Sequence, residues 1–294
     1  MARTETALPT GAGLQGAPSA GLVIGAIASV QFGAALAATL FARLGPGGVT
    51  FLRLTFASIV LLAVGRPRLR GHARHELVLA AVFGLVLAAM NLSFYEALER
   101  IPLGIAVALE FVGPLAVAVY GSRHRLDLLW VALAVAGILA LTVHGEHGLN
   151  GLGVALALLA GCFWAAYIVL NARLGRAYEG GAGLAIAMCI GALAVAPFGI
   201  AAGGVHLIEP ESLALGAAVG ILCSAIPYSF ELEALRRIST SLFGVLMSLE
   251  PAMAALAGFL VLGQALRPRD LLGIGLVITA SVGASRRREP AIAV

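Results

Sequence analysis

The chain has few charged residues. Asp, Glu, Lys and Arg make up 12% of its 294 residues, whereas hydrophobic residues make up 60%, and the mean hydropathy is +0.99. Soluble domains are typically about one half apolar and one quarter charged. The shortage of charge therefore excludes an ordinary soluble protein and predicts a polytopic membrane protein.

Lysine is absent, so all 19 basic residues are arginines. They form short clusters between apolar runs, as is typical of arginines that set the orientation of membrane spans. The net charge of +4 therefore does not indicate a nucleic-acid partner. The 3 cysteines lie far apart within apolar runs and predict neither a disulfide framework nor a metal site. No HExxH, GxSxG, Walker or Rossmann motif occurs in a suitable context, so we expect no enzyme activity and no cofactor.

Ten apolar runs come near the length of about 20 residues that crosses a bilayer as a helix. The first exceeds the core of a signal peptide, so we keep it as a span. Residues 1–20 predict a disordered cytoplasmic tail and residues 286–294 a second cytoplasmic tail. The predicted spans are 21–42, 48–65, 77–97, 102–121, 127–143, 151–172, 182–203, 212–235, 239–262 and 270–285.

The distribution of arginines predicts the orientation of these spans. With the amino terminus in the cytoplasm, 14 of the 19 arginines lie inside, four lie outside and Arg53 lies within a span. The opposite orientation would reverse this bias. We therefore expect a multi-pass protein of the cytoplasmic (inner) membrane with both termini inside.

Parts of the sequence recur at a constant shift. Residues 42–45 (ARLG) recur as 172–175, and residues 96–98 (EAL) recur as 233–235, with Pro114 mapping to Pro251 at the second shift. The pattern predicts an all-α fold of two five-helix repeats, 21–146 and 151–285. An odd number of spans per repeat inverts the second copy, which is typical of secondary transporters. The other explanation is that Ala/Gly/Leu-rich sequence aligns with itself.

Three ionisable residues lie deep within predicted spans: Glu110, Glu250 and Arg53. A charge at the bilayer centre costs about 2.5–3.5 kcal/mol on insertion scales, so such a residue needs a partner or a wet cavity. The functional interpretation is a translocation path in which a glutamate carries a proton or meets an ammonium, and Arg53 neutralises a carboxylate. The structural alternative is a buried ion pair or a protonated, hydrogen-bonded glutamate.

Prolines and uncharged polar residues extend the candidate path. Pro114 and Pro251 follow the two glutamates, and Pro227 adds a third candidate helix break. Interrupted helices at matching repeat positions indicate a transporter site. Four uncharged polar residues could hydrogen-bond either to a zwitterionic ligand or to a neighbouring helix: Gln31, Asn91, Tyr95 and Tyr228. Trp164 is a candidate for the wall of a cavity or for a packing residue.

The chain resembles the EamA-type members of the drug/metabolite transporter superfamily, and within them the bacterial threonine/homoserine exporters. The resemblance runs from about residue 21 to 288. It is carried by residues 48–54 (GVTFLRL), 102–111 (PLGIAVALEF), 113–117 (GPLAV), 243–252 (FGVLMSLEPA) and 262–263 (LG).

This resemblance implies a carrier that exports small neutral amino acids without ATP, as a proton antiporter. Its partners would be the cargo, protons and the lipid bilayer, and a homodimer is an assembly that the sequence leaves open. Gln264 stands where the superfamily commonly has glutamate, and Ala38 where the exporters would have lysine. The alternative is a carrier of the same fold for another metabolite or a drug.

Overall fold

The computed structural model describes residues 19–65, 73–120, 127–142, 149–178, 182–238 and 240–285. The regular structure within these ranges is helical throughout. Six helical stretches are long and apolar enough to cross a membrane, and large apolar side chains such as Leu193 and Phe198 remain exposed on the outer surface. The chain is an all-helical integral membrane protein, as its composition predicts.

The α-helices are numbered in chain order. Their bounds are α1 Ser19–Thr39, α2 Phe41–Gly65, α3 Arg74–Leu98, α4 Leu103–Glu110, α5 Val112–Tyr120, α6 Asp127–Thr142, α7 Gly151–Ala177, α8 Ala182–Gly203, α9 Pro210–Gly220, α10 Ile226–Leu235, α11 Thr240–Met247, α12 Glu250–Leu262 and α13 Pro268–Ser285. A 3₁₀ turn, Gly204–Ile208, precedes α9, and a π-helical segment, Ile221–Ala225, joins α9 to α10.

Three of the predicted spans are interrupted. The fourth breaks at Phe111 into α4 and α5, the ninth breaks after Met247 into α11 and α12, and the eighth contains the π segment just before Pro227. Each break lies within one turn of a proline, which has no N–H to donate to the preceding turn of its helix. The positions of Pro114, Pro227 and Pro251 therefore explain where these helices are interrupted.

The predicted start of the second span at residue 48 is wrong. Helical structure begins at Phe41 and passes through a kink at Gly45, which has φ 64° and ψ 164°. Only glycine adopts this conformation readily, and Pro46 then restarts the helix. The first helix begins at Ser19, so residues 19–20 are not part of a disordered tail. The remaining residues of the two predicted tails, 1–18 and 286–294, lie outside the described ranges.

The helices pack in an interleaved order. Helix α2 packs on α8, and α3 lies against both α7 and α8. Helix α1 packs on α10 and α12, and α6 packs on α13. Helix α4 is buried along its whole length between α7 and α12. The part of the chain before residue 146 and the part after it thus share one core.

Two glycines allow α7 to cross the break between α4 and α5. Because Pro114 has no N–H, the carbonyl of Glu110 loses its usual helical donor. Gly161 of α7 lies directly against that carbonyl, and a Cβ atom on Gly161 would lie 2.6 Å from its oxygen. A Cβ atom on Gly113 would in turn overlap the carbonyl of Gly161. Glycine at both positions is what permits this close backbone contact.

We expect Gly113→Ala to destabilise the protein by about 1–3 kcal/mol, because the added methyl group forces the two helices apart. The measurement is the thermal unfolding of the detergent-purified chain. The matched control is Gly175→Ala in α7, where an added Cβ meets nothing within 4 Å. Equal unfolding midpoints for the two variants would contradict this account of the crossing.

Candidate functional site

A cavity of about 210 Å³ lies at the centre of the helix bundle. Its walls come from α1, α2, α3, α4, α7, α8, the π segment, α10, α11 and α12, so both parts of the chain contribute to it. We call it the central cavity. Its ionisable and amide side chains are Gln31, Arg53, Asn91, Glu110, Glu231 and Glu250.

Arg53 is held in place by a tyrosine behind it. Its Nη1 atom donates a hydrogen bond of 3.0 Å to the hydroxyl oxygen of Tyr95, and its Cζ atom lies 5.4 Å from the centre of the same ring. Tyr95 is fully buried and packs against Phe41 and Phe94. Tyr95 is therefore a positioning residue for Arg53 and not part of the cavity wall.

Glu110 lies at the carboxyl end of α4, where the helix breaks. Its side chain is buried, lines the central cavity and lies close enough to Arg53 to interact with it electrostatically. Phe111, the residue at the break, makes an edge contact with Trp164, whose ring centre lies 5.4 Å away. Trp164 is also one of the residues that line the central cavity.

Glu250 lies on the far side of the second break. It is the first residue of α12, it is buried, and it interacts electrostatically with both Glu231 and Glu110. The central cavity therefore brings together one guanidinium and three carboxyl groups. All of them would carry charge in water, so the cavity holds potentially charged groups of both signs.

Glu231 was missed in the sequence analysis although it lies within a predicted span. Two residues later, Glu233 bonds to Arg236 and Arg237, so this stretch resembles an ordinary charged helix end. Residues two apart on a helix point to different faces, and Glu231 faces the central cavity. An ionisable residue within an apolar run needs a partner or a wet cavity, and this rule would have identified Glu231 as a candidate.

The other predicted path residues divide into two groups. Gln31, Asn91 and Pro227 line the central cavity, but the amide nitrogen of Asn91 already donates to the carbonyl of Leu87 at 2.8 Å. Pro114 and Pro251 shape the helix breaks and are not among the lining residues. The side chain of Tyr228 lies outside what the structure describes.

Comparison with known proteins identifies the family. The model of the EamA-like transporter family matches residues 151–286. The threonine/homoserine exporter RhtA of Escherichia coli (strain K12) is 44% identical over 266 residues, which is 90% of each chain. RhtA of Salmonella typhimurium (strain LT2) is 43% identical over 271 residues, covering 91% of this chain and 92% of that one.

The chain belongs to the EamA-like transporter family.

More distant matches agree with this assignment. The uncharacterized inner membrane transporter YedA of Escherichia coli (strain K12) is 28% identical over 254 residues, which is 80% of this EamA chain and 79% of YedA. A solved crystal structure that is 19% identical superimposes with a TM-score of 0.61, covering 90% of this chain and 96% of that one. The likeness to that structure concerns the fold alone.

Gln264, one of the two departures from the pattern that the resemblance implies, ties α12 to the start of α4. Gly263 ends α12 in the left-handed conformation, with φ 64°, and the chain then turns so that the N–H of Gln264 bonds to the carbonyl of Gly258. The side-chain oxygen of Gln264 accepts a 2.9 Å hydrogen bond from the N–H of Leu103, the first residue of α4. Ala38, the other departure, packs against the main core.

We expect Gln264→Leu to destabilise the chain by about 0.5–2 kcal/mol, because the first N–H group of α4 loses its acceptor. Gln264→Glu keeps an acceptor oxygen at the same place and serves as the matched control. The measurement is thermal unfolding in detergent. If the leucine and glutamate variants unfolded at the same temperature, Gln264 would not be a cap.

Proposed function

We propose that this EamA transporter exports small neutral amino acids of the threonine/homoserine type across the cytoplasmic membrane, by proton antiport and alternating access. One observation carries the proposal: the central cavity holds groups of both signs between the two parts of the chain. The names of its relatives in Escherichia coli and Salmonella typhimurium support the choice of cargo.

The polar groups of the central cavity match the two ends of an amino acid. Arg53 offers a guanidinium to the carboxylate of the cargo, and the glutamates offer carboxylates to its ammonium group. Charge-assisted hydrogen bonds of this kind are about twice as strong as neutral ones. Tyr95 keeps Arg53 in place for this contact, because it bonds to the guanidinium from behind.

The size of the central cavity favours an amino acid over a drug. Its volume of about 210 Å³ is smaller than the roughly 300–1,000 Å³ of sites that enclose drug-sized ligands. This observation separates the proposal from its alternative, a carrier of the same fold with a larger cargo.

The number of carboxyl groups supports proton coupling. Arg53 compensates one of them, and Glu110 is the carboxyl that interacts with it. Glu250 interacts electrostatically with Glu231, and both residues line the central cavity. Two carboxylates that share a dry site repel each other, so a proton bound there relieves the repulsion. We assign the transported proton to this second pair.

The packing order supports an inverted repeat. Exchanging each helix for its counterpart in the other half converts the contact of α3 with α7 into the contact of α10 with α1. The same exchange converts the contact of α5 with α7 into that of α12 with α1, and leaves the pairs α2–α8 and α6–α13 unchanged. Alternating access in such folds moves one repeat against the other around a fixed site.

The proposed orientation has both termini in the cytoplasm, as the arginine distribution favours. On this topology, Glu231 near the end of α10 and Met188 near the start of α8 lie on the cytoplasmic side of the central cavity. Toward the opposite side, Tyr95, Phe41 and Leu103 are buried.

We expect overexpression to protect a threonine-sensitive bacterium against toxic threonine or homoserine and to lower the intracellular pools of these amino acids. Dissipating the proton gradient should abolish net export. The measurements are growth and intracellular amino-acid content. Resistance to unrelated drugs alone would overturn the choice of cargo, and export that survives loss of the gradient would overturn antiport.

We expect Glu250→Gln and Glu231→Gln each to reduce export driven by a pH gradient at least about tenfold, because a neutral amide cannot carry the proton. Exchange of threonine for threonine, which needs no net proton movement, should persist. Both fluxes are measured in proteoliposomes.

Two further variants complete that test. Glu233→Gln is the control, since Glu233 belongs to the same helix as Glu231 but bonds to Arg236 and Arg237. Glu110→Gln should impair both fluxes, because Arg53 loses its partner carboxylate. Unchanged pH-dependent export in the Glu231 and Glu250 variants would remove both residues from the proton role.

A further inference from the structure

Gln31 carries an unsatisfied polar atom at the central cavity. The residue lies in α1, is only 2% exposed and belongs to the cavity wall. Its side-chain oxygen is buried and has no hydrogen-bond partner within the described ranges. A buried polar atom without a partner costs free energy, so each one in a folded protein requires an explanation.

The backbone around Gln31 is held against the π segment. Ser29 donates a 2.7 Å hydrogen bond to the carbonyl of Leu222, and the thiol of Cys223 contacts the carbonyl of Val30 at 3.6 Å. Gly33 lies so close to the π segment that a Cβ atom would be 2.6 Å from the sulfur of Cys223. These contacts clamp α1 against the π segment on both sides of Gln31.

Two other polar residues of the cavity wall have hydrogen-bond partners within the protein: Arg53 bonds to Tyr95, and the amide nitrogen of Asn91 bonds within its own helix. The oxygen of Gln31 has none within the described ranges, so it would gain a partner from the cargo on turning its side chain toward the cavity. This inference rests on the proposed function, since the cargo is the ligand that the central cavity would hold.

A hydroxyl group of the cargo suits Gln31 better than its ammonium or its carboxylate. The ammonium has the three carboxyl groups to bind and the carboxylate has Arg53, and charged partners are stronger than an amide. A hydroxyl both donates and accepts hydrogen bonds, so it satisfies either end of an amide, whereas an ammonium only donates and a carboxylate only accepts. Threonine and homoserine share a side-chain hydroxyl.

We propose that Gln31 binds the side-chain hydroxyl of the cargo and thereby makes the carrier select hydroxylated amino acids over aliphatic ones of the same size. Valine is the sharpest comparison, since it replaces the hydroxyl of threonine with a methyl group of similar volume. A site built to bind a hydroxyl rejects the analogue that lacks it, because the polar atom of the protein is then left unpaired.

The test compares threonine and valine in proteoliposomes that contain the full chain. We expect the wild-type protein to exchange threonine at least about tenfold faster than valine at equal concentration. In Gln31→Met, which keeps the length of the side chain and removes its polar atoms, the ratio should fall to within about twofold. Valine exchange by this variant reports that it is folded.

Ser29→Ala is the matched control, because it removes a satisfied hydrogen bond two residues away on the same helix. This variant should keep the wild-type ratio. An unchanged ratio in Gln31→Met would overturn the assignment. If Gln31→Met moved neither amino acid, the ratio of threonine to valine exchange by the wild-type protein would decide the question. Equal exchange of the two amino acids would contradict selection for the hydroxyl.

The same experiment separates this inference from the proposed function. If the wild-type chain moved threonine and valine equally well, the hydroxyl assignment would fail and amino-acid export would stand. If it moved neither amino acid, the proposed function itself would fail.

Discussion

A charged or hydrogen-bonding group within the hydrocarbon of a bilayer has no water to bind, so it needs a partner inside the protein. The centre of this EamA chain follows from that constraint. Arg53 has Tyr95 behind it and Glu110 nearby, and the carboxyl groups of Glu231 and Glu250 face a shared cavity instead of lipid. Moving any one of these groups to the lipid-facing surface would remove its partner.

The same constraint links the helix breaks to the glycines. A proline frees one carbonyl of the preceding turn, and a freed carbonyl in a membrane must be shielded by a close neighbour. Gly161 provides that neighbour for Glu110, because its missing side chain lets the backbone of α7 approach the break. The break also places the Glu110 side chain at a helix end beside Trp164, where it faces the cavity. The proline that breaks the helix, the glycine that packs against the break and the glutamate at the helix end therefore depend on one another.

The helices were predictable from the sequence because a bilayer offers the backbone few alternatives to a helix, so a long apolar run is sufficient evidence. Glu110, Glu250 and Arg53 were predictable for the same reason, as charges inside such runs. Glu231 was not recognised, because its neighbour Glu233 makes this stretch resemble an ordinary charged helix end. Which of the two glutamates faces the cavity depends on the helix face that each one occupies. The kink at Gly45 and the hydrogen bond from the N–H of Leu103 to the side-chain oxygen of Gln264 depend on tertiary contacts, the latter across 161 residues. A single sequence does not reveal contacts at that separation.

Two links join distant parts of the chain at the end of the bundle that carries Arg43. One is the hydrogen bond from Leu103 to Gln264, and another is Arg43, which lies between Glu209 and Glu211. The pKa of Glu209 lies below its usual range because His206 hydrogen-bonds to it and Arg43 lies beside it. A carboxylate of lowered pKa keeps its stabilising contacts as the pH falls, until the pH reaches that lowered pKa. In the proposed orientation this end faces the cell exterior, so mild external acidity leaves the link with Arg43 intact. The ion pairs of this link are partly exposed and screened by water, so each contributes little to stability, whereas the charged groups of the central cavity are shielded from water.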